Sequence, residues 1–187
     1  MKSHGTEAGI QGGPLPDYLH PGLDVLFVGI NPGRHSAARG HHYAGPGNHF
    51  WPLLYESGLL PEPLTYEDDG RCTDFGIGLT NLVARPSPTM DDLSMEELRA
   101  GVDPLRQKIL RYQPRIVCFN GKRIFEVFIG HPLPAGQLGL QPESIGRSRL
   151  FVMPSTSPRG ASYQRADKLA FFRHLRDLLP RGEDDGP

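Results

Sequence analysis

The chain has 187 residues, 37% of them hydrophobic, with 20 Lys plus Arg against 21 Asp plus Glu and a formal net charge of −1. That length suits one ordinary domain with a single full core, and the near-neutral charge leaves no global electrostatic signature of a nucleic-acid binder. The two cysteines, Cys72 and Cys118, form neither a CxxC pair nor a Cys/His metal spacing, which argues against a disulfide framework and a four-thiolate iron–sulfur cluster.

Residues 1–22 are rich in Gly and Pro and are expected to be flexible. They lack the apolar core of a signal peptide, and no run approaches the ~18 apolar residues of a membrane span, so an intracellular protein with reduced thiols and no membrane partner is expected. At the other end, residues 181–187 carry Glu183, Asp184 and Asp185 in a Gly/Pro setting and read as a flexible acidic tail. Without those three carboxylates the formal charge would be +2 rather than −1, so a local basic patch is compatible with the composition.

The ordered part is expected over residues 23–180, as one domain. Residues 24–29 contain a short apolar run rich in β-branched and aromatic side chains, closed by Gly29, Pro32 and Gly33, which predicts a strand buried on both faces. Asn31 sits on the turn after it. At the carboxyl end of a parallel strand a polar residue is a candidate active-site group, whereas an Asn chosen for turn geometry alone is the plainer reading of the same residue. Residues 35–48 read as a long polar loop, and Asn48 as the cap of a helix through Tyr55 that Gly58 stops.

A second strand is predicted over 79–83, ending at Arg85-Pro86-Ser87-Pro88. The pattern Ser94-Met95-Glu96-Glu97 is a capping box, and Asp103-Pro104 opens a further helix that Gln113-Pro114 ends. Residues 116–119 form a third strand, and Asn120-Gly121-Lys122 leads into a helix containing Ile124, Phe125 and Phe128. After a Gly/Pro loop, residues 150–153 make a fourth strand, which runs into Pro154-Ser155-Thr156-Ser157-Pro158-Arg159. A last helix is expected over roughly 164–179. Alternating strands and helices predict an α/β fold, a three-layer α/β/α sandwich around a short, mostly parallel four-stranded sheet. The loops after Val28, Phe119 and Met153 would then share one sheet edge.

Several blocks, in this order and spacing, resemble the mismatch-specific uracil and thymine DNA glycosylases of the uracil-DNA glycosylase superfamily. They are Gly29-Ile30-Asn31-Pro32-Gly33, Gly40-His41-His42-Tyr43 with Gly45 to Trp51, Tyr112 to Ile116, Phe119 to Lys122, and Met153 to Arg159. The resemblance implies a monofunctional enzyme that flips a mispaired uracil, or thymine, out of double-stranded DNA and hydrolyses its N-glycosidic bond. It implies neither cofactor nor metal, and one chain per lesion, hence a monomer. On the same resemblance Asn31 would position the attacking water, backbone groups around Ile30 would hold the base's carbonyls, and Tyr43 would stack on the flipped ring. His42 would line the pocket or touch a phosphate, a buried structural role being equally compatible with the residue.

Arg159 stands where the thymine-processing members insert a side chain into the helix, and Ser155, Ser157 and Lys122 would grip phosphates. Ser36 occupies a pocket position where those members carry Ala, so uracil is implied more firmly than thymine. Asp91 replaces their Lys or Asn and could supply a carboxylate to the site, or simply suit the start of the helix that follows. Among the alternatives, a damage-recognising DNA binder without catalysis would need Tyr43 and Arg159 but not Asn31. A phosphate or acyl hydrolase would need a GxxxxGK[ST] loop or a GxSxG elbow, and the sequence contains neither. The histidines at 35, 41, 42 and 49 lack an i, i+4 pair on a predicted helix, so a metal cluster is not expected.

Overall fold

The computed structural model describes residues 10–159 and 162–180. Of the flexible segment expected over 1–22, residues 1–9 lie outside the described residues, as does the flexible tail expected over 181–187.

Five strands form one sheet in the order β2-β1-β3-β5-β4. Strands β1 (Val25–Gly29), β2 (Ile77–Asn81), β3 (Ile116–Asn120) and β5 (Ser148–Met153) run parallel, and β4 (Gly139–Ile145) joins the β5 edge antiparallel. Side chains alternate across the sheet as the strand period of two requires. Val25, Phe27, Ile116, Cys118, Phe151 and Met153 face one layer, packed by α2 (Phe50–Glu56), α6 (Arg165–Asp177) and a 3₁₀ segment, Tyr66–Phe75. Leu26, Val28, Val117, Phe119, Leu150 and Val152 face the other, packed by α3 (Met95–Ala100), α4 (Val102–Tyr112) and α5 (Lys122–Ile129). Each fully buried Phe, Leu or Ile contributes about 1.5–3 kcal/mol, so the two layers are the main source of stability.

The expected three-layer sandwich is therefore present, with a fifth strand. Strand β4 escapes sequence reading because Gly139 and Pro142 mark it as loop and its pairing with β5 shifts register between Leu140 and Ser144. Strand β2 begins two residues earlier than its apolar run. Gly78, which weakens the strand signal, is required there: a Cβ would come within 2.6 Å of Leu23 Cδ1 and 2.8 Å of the Tyr18 carbonyl. The expected loop 35–48 opens with a short helix, α1 (Arg34–Arg39), closed by Gly40 at φ 74°.

Part of the segment expected to be flexible is packed. Tyr18 pairs with Leu79, and Asp17 accepts a hydrogen bond from the buried Thr80 hydroxyl at 2.6 Å. The Ser94 capping box holds in detail, whereas the cap expected at Asn48 falls on His49, with Asn48 one residue before it bonding the first helical N–H. Glu97 N–H donates to Ser94 Oγ at 3.1 Å while Ser94 N–H donates to Glu97 Oε2 at 2.9 Å, and Asn48 Oδ1 accepts from Phe50 N–H at 3.0 Å. No helix among the described residues is long and apolar enough to cross a membrane.

Candidate active site

The crossover from β1 leads to β2 on one side and the crossover from β2 passes back over β1 to β3 on its other side, which makes the carboxyl edge around β1 the topological switch point where open α/β sheets bind ligands. Asn31 follows β1, Asn81 ends β2 and Asn120 ends β3, so three amides converge on this edge.

The Asn31 amide is oriented by its surroundings. Its Nδ2 donates to the Arg85 carbonyl at 2.9 Å and to Ser87 Oγ at 2.7 Å. The Ser87 hydroxyl spends its proton on the Thr89 carbonyl at 2.5 Å, so toward Asn31 it is an acceptor. Both NH₂ hydrogens are thus committed, and Oδ1 is turned the other way. The loop doing this is itself anchored: Arg85 makes a forked contact to Glu97, with Nε 2.6 Å from Oε1 and Nη2 3.1 Å from Oε2. Ile30 is half-buried beside Asn31, its carbonyl accepting from Val83 N–H at 2.8 Å.

Tyr43 lies flat on Phe50, ring centroids 3.8 Å apart and planes 19° apart, with its hydroxyl beside the Asn120 amide. Burial pushes its phenol well above the ordinary tyrosine range, so it is a neutral platform. Gly29 lies beneath: a Cβ there would meet Asn81 Oδ1 at 2.5 Å and Tyr43 Oη at 3.5 Å, so a side chain would fill the space at the end of β1. Asn120 is the hinge between this platform and the loop after β5. Its Nδ2 donates to Thr156 Oγ1 at 2.9 Å, and its Oδ1 accepts from Thr156 N–H at 3.0 Å.

Ser36 and His42 stand one layer back. Ser36 Oγ accepts from Ala44 N–H at 3.0 Å, which ties the loop to α1. His42 is 2% exposed; its Nε2 lies 2.7 Å from the Pro16 carbonyl and therefore carries the proton, and its carbonyl accepts from Trp51 Nε1 at 3.1 Å. Burial lowers its pKa, keeping the ring neutral. Of its two sequence readings, this arrangement matches the buried structural histidine.

The remaining sequence-predicted residues form an exposed rim. In the loop after β5, Ser155 Oγ accepts from Ser157 N–H at 3.2 Å and Ser157 Oγ from Arg159 N–H at 3.4 Å, two side-chain turns that expose the loop tip. Arg159 is exposed and reaches the Pro88 carbonyl at 3.4 Å, on the loop that holds Asn31. Lys122 opens α5, its ammonium 3.5 Å from Glu126. Asp91 lies on a 3₁₀ turn, Met90–Asp92, with its side chain 88% exposed and its nearest charged partner, Arg123, 3.9 Å away. Neighbouring Asp92 caps that turn through Thr89 N–H and Oγ1 at 2.8 and 2.7 Å. Among the described residues no group of three His, Cys, Asp or Glu converges in metal-binding geometry.

Sequence reading passed over Ser87, Asn81 and the clamping role of Asn120. An Asn or Ser at a strand end or in a Pro-rich turn was the available signal; the register that pairs Gly29 with Asn81 was not.

Comparison with known proteins identifies the family. The profile of the uracil DNA glycosylase superfamily matches residues 16–179. A G/U mismatch-specific uracil DNA glycosylase of Schizosaccharomyces pombe is 39% identical over 162 residues, covering 82% of this chain and 50% of its own length. The chain thus spans about half the length of that curated relative. A candidate uracil DNA glycosylase from Methanosarcina acetivorans, solved by solution NMR, superposes with a TM-score of 0.52 at 22% identity, over 88% of this chain and 98% of its own, and so shares the fold. The match over nearly the whole described chain places the protein in the uracil DNA glycosylase superfamily.

Proposed function

We propose that this protein is a monofunctional base-excision glycosylase that extrudes a mispaired uracil from double-stranded DNA and hydrolyses its N-glycosidic bond, leaving an abasic site. The observation that carries the reading is the orientation of Asn31: with both amide hydrogens spent on Arg85 and Ser87, Oδ1 accepts no bond among the described residues and is suited to holding a water at the switch point. The water oxygen bonds to C1′ as the bond from C1′ to the base nitrogen breaks. The bonding pair leaves with the base, and the water's proton is lost to the departing base or to solvent.

An amide aims the water but cannot accept its proton as a carboxylate does, so chemistry depends on stabilising the leaving base and turnover is slow. Tyr43 provides the stacking face, and the Asn81 amide and backbone groups near Ile30 contact the base's polar edge. Gly29 keeps the pocket open. Ser155, Ser157 and Lys122 hold phosphates, and Arg159 fills the gap left by the extruded nucleotide. Extrusion costs a few kcal/mol and least at a mismatch, which favours G·U, and with less support G·T, over A·U. On this reading Ser36 anchors the pocket loop through the bond its Oγ accepts from Ala44 N–H. The enzyme acts as an intracellular monomer without cofactor.

The test is single-turnover incubation with duplexes carrying G·U, G·T or A·U and with single-stranded U, scoring free base and alkali-labile sites. Cutting of G·U with release of uracil is expected. Tight mismatch binding with no base release would instead make the chain a recognition protein.

A further inference from the structure

Asp69 is a carboxylate 1% exposed, carried on the Tyr66–Phe75 segment rather than on the sheet edge. Its Oδ1 accepts from Tyr18 Oη at 3.0 Å and lies 3.0 Å from His41 Nδ1, and its Oδ2 accepts from His42 N–H at 2.8 Å. Facing a carboxylate, His41 Nδ1 carries the proton. Two of these donors belong to the loop that presents Tyr43, and the third comes from the N-terminal segment.

The next residue shows what they hold. Tyr43 has φ 55°, a left-handed conformation that L side chains with a bulky ring rarely adopt. On its C-terminal side Ala44 N–H is fixed by Ser36 Oγ at 3.0 Å. On its N-terminal side the fixing groups are Asp69 on His42 N–H, Pro16 on the His42 ring and Trp51 on the His42 carbonyl. A strained residue persists when its surroundings over-determine it, and the buried carboxylate is the one charged group among these fixing contacts.

We propose that Asp69 is a positioning residue for the base pocket, holding His41 and His42 so that Tyr43 takes the left-handed conformation that lays its ring on Phe50. The assignment rests on Tyr43 being the stacking platform of the glycosylase reading and deepens it: a group outside the pocket sets the height and tilt of the pocket's floor. An acid buried only to satisfy the core would affect stability without selecting this conformation.

Two variants separate these roles, Asp69→Asn, which keeps the shape and one acceptor oxygen, and Tyr18→Phe, which removes one donor and leaves the carboxylate. At saturating enzyme and a temperature at which both are folded by circular dichroism, Asp69→Asn lowers the single-turnover rate on G·U duplex by about 10- to 100-fold, as misplacing a binding surface does. Tyr18→Phe lowers it by about two- to fivefold, in keeping with loss of one of several hydrogen bonds. Duplex affinity, measured in the Asn31→Ala background, stays within about threefold because phosphate contacts set it.

An activity-independent readout is the NMR shift of the Tyr43 ring protons, which ring stacking on Phe50 displaces. In Asp69→Asn these resonances move toward unstacked values while methyls of Leu26 and Val117 in the opposite layer stay. If the folded Asp69→Asn variant keeps both its Tyr43 shifts and its saturating rate, the positioning role is overturned. If the Tyr43 shifts move but wild type releases no uracil, the positioning stands and the substrate reading falls.

Discussion

The wall of the pocket and its rim differ in how their polar side chains are held. In the wall, Asn31, Tyr43 and Asn120 are each fixed by partners from other elements, as is Asp69 behind it, and Asp69 and Asn120 are 1% and 7% exposed. In the rim, Arg159, Lys122 and Asp91 are exposed and held by a long carbonyl contact, an i, i+4 pair and a 3.9 Å ion pair. Exposed pairs of that kind contribute about 0–1 kcal/mol, whereas leaving a buried polar group unpaired costs about 1–3 kcal/mol. On the proposed reading, the fold invests its fixed geometry in the groups that would face the reacting bond and leaves those that would face the DNA backbone free to adapt.

That contrast can be broken at the wall first. Ser87→Ala removes one of the two acceptors that orient Asn31, so the amide can turn and offer NH₂ instead of oxygen to the water. The single-turnover rate at saturating enzyme is expected to fall by about 10²-fold, the usual cost of misaiming a catalytic group, with duplex affinity little changed. An equal loss of affinity would move Ser87 from the wall to the rim. Arg159→Ala should show the opposite split. Mismatch affinity weakens, and if the side chain also neutralises a phosphate the slope of log K against log salt falls by about 1; titration of duplex at several salt concentrations measures both.

The smallest effect is expected at Asp91. With its side chain 88% exposed and its charge 3.9 Å from Arg123, Asp91→Ala should leave the single-turnover rate within about twofold. A loss comparable with that of Ser87→Ala would mean that the 3₁₀ turn closes over the pocket when DNA binds.

The same division explains what was legible in the sequence. Asn31 could be read because local signals frame it, an apolar run before and Pro32 after. The strands β1, β3 and β5 and the Ser94 capping box are local in the same sense. Asn81 became visible only through the register that sets it over Gly29, and Ser87 only through a loop fold that brings it 2.7 Å from a residue 56 positions earlier. Asp69 is further still from legibility, since its partners lie 27, 28 and 51 positions away. Helix α1 was missed because Arg34 to Arg39 is a six-residue turn bounded by Gly33 and Gly40, too short to show an apolar stripe. The rim residues carry no physical pattern of their own and are singled out only by the order of the blocks they belong to.

The most direct test of the central claim compares wild type with Asn31→Ala on one G·U duplex, measuring single-turnover uracil release and equilibrium binding side by side. If Asn31 holds the attacking water, release falls by on the order of 10²–10⁴-fold while binding is retained. Release that persists at the wild-type rate would contradict the claim and place the water on another group of the switch-point edge.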